Sequence, residues 1–166
     1  MKPLIQFAAA FIFAALILLA PVSSAFAQTT DSIAIAKLFE QAKRHAAQAE
    51  HDAALLDSYG RSGMDWQTHA QCLTNIKGHA GDLFQDYYQL QAMRAKGTPQ
   101  QREAIDSLEP LLREMGTSLT STIQSLNLHQ GQVSMPSFRN RVHADYVAIN
   151  KVYEHLCRCT SKSYKA

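Results

Sequence analysis

Seven histidines and three cysteines in a chain of 166 residues are enough to build a metal centre. His69-x-x-Cys72 offers an imidazole and a thiol about one helical turn apart, and His129 and His143 add two more imidazoles. Imidazole and thiolate together suit copper or zinc, and Met64 and Met135 could add thioether sulfur. His69, Cys72, His129 and His143 are therefore the candidate ligands. Their spacing is not that of a dedicated site, because no two histidines stand four apart as in H-x-x-x-H.

Other chemistries lack their motifs. A C-x-x-C-H sequence for covalent haem is absent, and no glutamate is followed by histidine at the E-x-x-H spacing of a di-iron bundle. Neither G-x-S-x-G nor S-x-x-K marks a nucleophile. The L-T-x-x-Q repeat of helical metal-stress sensors has one near counterpart, Leu119-Thr120-Ser121-Thr122-Ile123-Gln124, which is one residue too long. No catalytic residue is assigned, and an enzyme is disfavoured.

The elements that must position these residues are all helical. Alternating strand patterns are missing, and Ala, Leu, Gln, Glu and Lys are abundant. A first helix is expected over about 31–58, capped by Thr30 or Asp31, with a seam of Ile35, Leu38, Ala42, His45, Ala49, Asp52, Leu56 and Tyr59. A second spans about 65–96, capped by Asp65 and ended by Gly97. Its seam includes His69, Leu73, Ile76, Ala80, Leu83, Tyr87 and Leu90. Gly78 and Gly81 in its middle are read as a close helix contact.

Thr98-Pro99-Gln100-Gln101 is a capping box with proline at the first helical position. The seam from Ile105 through Leu108, Leu112, Met115, Leu119, Thr122, Leu126 and His129 keeps its phase across Pro110. A kink is expected there, not an end. The fourth helix spans about 137–159, with Phe138, Val142, Tyr146, Ile149, Tyr153 and Leu156 on its apolar face.

Short connections make consecutive helices antiparallel, so the fold class is all-α, an up-down-up-down four-helix bundle. That topology gathers His51, His69, Cys72, His129 and His143 toward one end. It also sets Cys72 on the order of 20 Å or more from Cys157 and Cys159. An oxidising compartment would favour pairing Cys72 with one of them. The alternatives are an unpaired Cys72, with Cys157 and Cys159 joined to each other, to another chain, or with His155 in a metal clip.

The compartment is read from the N-terminus. Lys2 precedes an apolar run over 4–20, and Ala25-Phe26-Ala27 forms an A-x-A cleavage triplet. Residues 1–27 are expected to be a cleaved signal peptide and 28–166 one bundle domain, periplasmic or secreted. An uncut membrane anchor is the weaker reading, since the run is near the roughly 20 residues a span needs.

The expected mature chain is almost neutral, yet its last stretch from Arg139 carries six basic residues against two acidic ones. Pairing with acidic neighbouring helices accounts for this. A weak contact of the basic C-terminal helix with anionic surfaces is the sharper alternative. Nucleic acid does not suit the charge or the compartment. The reading is an extracytoplasmic interaction or structural module for an unknown protein partner. The rival is a metal- or cofactor-binding bundle with His and Cys ligands at one end.

Overall fold

The computed structural model describes residues 22–59 and 64–163, with side chains over 30–59 and 64–161. Four helices pack together: α1 (Val22–Tyr59), α2 (Trp66–Met93), α3 (Pro99–Leu128) and α4 (Pro136–Ser163). A turn of 3-10 helix follows α2 at Arg94–Lys96 and another follows α3 at Gln130–Gln132. No strand occurs among the described residues, and no helix among them is long and apolar enough to cross a membrane. The apolar run assigned to a leader lies outside the described residues. The backbone is already helical at Ala25-Phe26-Ala27, so α1 starts nine residues before Asp31.

Local chemistry sets the helix starts. The Asp65 carboxylate accepts the Thr68 N–H at 2.8 Å, and this bond holds its carboxyl below the usual range. At α3 the capping box is complete. Thr98 Oγ1 accepts the Gln101 N–H at 3.2 Å, and Gln101 Oε1 accepts the Thr98 N–H at 3.0 Å. The buried Gln101 amide then donates to the carbonyl of Ser32 at 2.9 Å, which ties this cap to α1. Pro110 sits on the exposed face of an uninterrupted α3.

Contacts between helices fix their directions. His45 and Asp52 of α1 meet Asp86 and His79 of α2, so the two helices run oppositely. Lys43 and Asp57 of α1 reach Thr160 and His143 of α4, again in reversed order. On α3, Ser107, Glu114, Ser118 and Ser121 meet His155, Lys151, Asp145 and Arg141 of α4 in descending sequence. Tyr87 of α2 and Arg94 of the 3-10 turn after it pair with Glu109 and Asp106 of α3. The expected alternation of directions is therefore present in the contacts.

The core stripe of α1 is offset from its expected seam. Ile35, Phe39, Ala42, Ala46, Ala49, Ala53 and Leu56 are buried, while Leu38, His45, Asp52 and Tyr59 are only partly covered. Four alanines in this stripe let α1 lie close to both α2 and α4, which are its main neighbours. α3 packs mainly on α4 and less on α2.

Two glycine expectations change. Gly78 and Gly81 face open space, and a Cβ on either would meet nothing within 4 Å, so they mark no close contact. The tight glycine is Gly97, where a Cβ would come within 3.1 Å of Ile35 Cδ1.

Candidate functional site

The structure spreads the candidate ligands over different environments. His69 is buried at the start of α2. Its Nδ1 lies 2.8 Å from the Asp65 carbonyl, which can only accept, so Nδ1 carries the proton. Nε2 is left buried with no hydrogen-bond partner, and the ring meets Phe138 edge-on at 5.5 Å. Cys72, one turn on, is half-buried, and its thiol is pushed up by burial and then by nearby Asp52. His129 is the exposed C-cap of α3. His143 stands largely in solvent, with Nδ1 3.3 Å from Asp57. Among the described residues no group of three or more His, Cys, Asp or Glu side chains is arranged to hold a metal ion.

This placement gives a sharp expected result. His129→Gln and His143→Gln should each change unfolding free energy by less than about 0.5 kcal/mol, with or without added zinc or copper. His69→Ala should cost about 2–3 kcal/mol in both conditions, because it empties a core position beside Phe138. Denaturant unfolding checks this. A metal-dependent stabilisation lost in all three variants would establish the ligand set instead.

Sequence reasoning missed what three of the seven histidines do. His45, His79 and His143 each face an aspartate on another helix: Asp86 at 2.7 Å, Asp52 at 3.5 Å and Asp57 at 3.3 Å. All three pairs involve α1, so they fasten it to its neighbours. A second His-Asp ladder is absent from α3, whose polar contacts with α4 run through serines and a lysine–glutamate pair.

None of the three cysteines forms a disulfide among the described residues. Because α4 stays helical through Ser163, Cys157 and Cys159 sit about 200° apart around its axis and cannot bridge to each other.

An opening lies between α2 and α3, the adjacent helix pair with the thinnest packing. It is a groove of about 1080 Å³. Phe84, Tyr87 and Tyr88 form the α2 wall, and Thr117, Thr120 and Ser121 lie along the α3 wall. Phe84 lies against Gly116, where a Cβ would come within 3.3 Å of its ring. Tyr88 is 61% exposed, the most exposed aromatic ring among the described side chains. Gln91 donates to the Tyr87 hydroxyl at 2.6 Å, and burial, with Glu109 nearby, pushes that phenol up. Glu109 and Arg113 pair with each other, so the groove carries no net charge from them. No reactive pair of side chains points into it. No family model, curated protein or solved structure matches this chain.

Proposed function

We propose that this protein is a non-catalytic interaction module that works outside the cytoplasm and receives a helical segment of a partner protein in the α2–α3 groove. The groove with its exposed aromatic wall is the observation that carries the reading. At about 1080 Å³ it exceeds the roughly 300–1,000 Å³ typical of small-molecule sites. Its α3 wall from Glu109 to Gln124 runs for about 22 Å, the length of four helical turns.

Gly116, Thr117, Thr120 and Ser121 are small enough to let another backbone approach. Phe84, Tyr87 and Tyr88 supply the aromatic contacts that dominate protein interfaces. The self-paired Glu109 and Arg113 favour a partner face that is apolar and uncharged. The extracytoplasmic part of the reading rests on the A-x-A triplet at Ala25-Phe26-Ala27.

A photo-crosslinking residue in place of Tyr88, installed in the exported protein in its own compartment, tests the proposal. The expected product is a cross-linked peptide of another protein with apolar residues at helical spacing, identified by mass spectrometry. Thr117→Arg, which fills the groove, should reduce that product at least tenfold. A product made only with lipid or with a second copy of this chain, or a yield unchanged by Thr117→Arg, would overturn it. The rival copper or zinc centre is favoured only by the orphaned Nε2 of His69, and the unfolding series above decides it.

A further inference from the structure

A second cavity, of about 480 Å³, opens at the opposite end of the bundle from His69, between α1, α3 and α4. Its walls include Phe39, Glu103, Ser107, His155, Arg158 and Cys159. There His155 Nε2 lies 3.3 Å from Cys159 Sγ and 3.1 Å from Ser107 Oγ. Residues four apart on a helix share a face, so α4 itself places this base beside this thiol. Such a contact converts a thiol into a nucleophile, because the imidazole can take its proton.

The other two cysteines are placed differently. Cys72 is held protonated by burial and by Asp52. Cys157 is two residues from Cys159, faces away from the cavity and shares a hydrogen bond with the Tyr153 hydroxyl. Near the C-terminal end of α4 the backbone carbonyls favour a positive group and oppose a lone negative one. A thiolate at Cys159 would therefore need the imidazolium of His155 beside it.

We propose that Cys159 is a reactive thiol with His155 as its base, and that the cavity admits a small amino-acid or peptide disulfide, which Cys159 attacks. The volume suits a molecule of that size. Arg158 is mostly exposed and only loosely tied to Glu154, at 3.9 Å, so its guanidinium is available for a ligand carboxylate. Glu103 offers a place for an ammonium group.

In the reaction His155 Nε2 takes the Cys159 proton, and the sulfur electron pair forms a bond to one sulfur of the ligand. The ligand's S–S bond breaks, and its electron pair leaves on the second sulfur, which takes the proton from His155. One disulfide is consumed and one mixed disulfide is made, so no separate oxidant is required.

The test treats the reduced, full mature chain with glutathione disulfide at pH 7 and follows each cysteine by peptide mapping. Cys159 should be modified at least tenfold faster than Cys72 or Cys157. His155→Gln should slow Cys159 at least tenfold and leave Cys157 unchanged. Ser107→Ala, which removes the competing contact to Nε2, should not slow it. Arg158→Gln should slow the reaction with glutathione disulfide several-fold but not that with uncharged bis(2-hydroxyethyl) disulfide.

If His155→Gln does not fold, the wild-type pH profile decides instead. Alkylation of Cys159 by iodoacetamide should persist below pH 7, where a thiol of ordinary pKa slows about tenfold per pH unit. Equal rates at the three cysteines, no effect of His155→Gln, or matching pH profiles would overturn the proposal.

Discussion

Replacing Asp86 with alanine is expected to lower the free energy of unfolding by about 2–4 kcal/mol, because it takes a shared acceptor away from two α1 donors at a buried position. Asp86 is 1% exposed and lies among Leu83, Tyr87 and Leu90 on the inward face of α2. Its two oxygens are both used: Oδ1 accepts from Gln41 Nε2 at 2.8 Å and Oδ2 from His45 Nδ1 at 2.7 Å. Alanine would leave both α1 donors facing a void. Asp86→Asn keeps the shape but turns one acceptor into a donor, so it should fall between, at about 1–3 kcal/mol.

His45→Ala should cost less than Asp86→Ala, because the His45 side chain is one-quarter exposed and water can replace it at the rim. Domains of this size have about 5–15 kcal/mol in total. Urea unfolding would therefore show the Asp86→Ala change as a large fall in midpoint. A cost under about 1 kcal/mol would mean that the contact does not anchor α1 to α2.

Asp145 is the opposite case, and its replacement should stabilise. It is buried between α3 and α4, and burial pushes its carboxyl up. The hydrogen bond from Ser118, the nearby Thr122 hydroxyl and the charge of Arg141 counter this only in part. Oδ1 accepts from Ser118, but Oδ2 is buried without a partner. The folded state thus holds the proton more tightly than the unfolded chain, where the group titrates near about 4. Stability is therefore greatest below that value, falls as pH rises toward the folded-state value, and levels off above it.

Asp145→Asn removes the ionisation. At pH 7 the variant should be more stable than the wild type by about 1–3 kcal/mol, the scale of one uncompensated buried group. The advantage should shrink below pH 4. Comparing the two proteins at each pH cancels the groups held low, such as Asp65 and Asp106, which lose stabilisation in acid. An equal difference at pH 7 and pH 3.5 would refute the account.

The helices were legible because their signals are local. The Asp65 cap, the Thr98–Gln101 box and the unbroken seam across Pro110 each depend on residues a few positions apart, and each is present. The start of α1 was not, because nothing over 22–30 breaks a helix, and a capping residue such as Asp31 can equally lie inside one. There it contacts Lys96 at 3.6 Å.

The histidines defeat sequence reasoning for a different reason. Whether His45 meets Asp86 or His79 meets Asp52 depends on the sliding register of two helices, which neither sequence segment encodes alone. Topology assigns a histidine to one end of the bundle but is silent about its azimuth. His69 turned inward, while His129 and His143 turned to solvent. The groove was equally hidden. It arises from a splay between α2 and α3, although the spacing of Phe84 and Tyr88 outside the core seam was a signal that could have been used.

That splay is not symmetrical along its length. At one end Arg94 grips Asp106 through two bonds of 2.6 Å, so the two helices are clasped. Toward the other end the stripe of α2 that carries Tyr88 and Phe84 continues into Gly81 and Gly78, where bare backbone meets open space. The groove thus has a shut end and an unwalled end. Anything lying in it has a preferred heading, entering past the glycines and halting at the clasp, so the two ends of an occupant are not interchangeable.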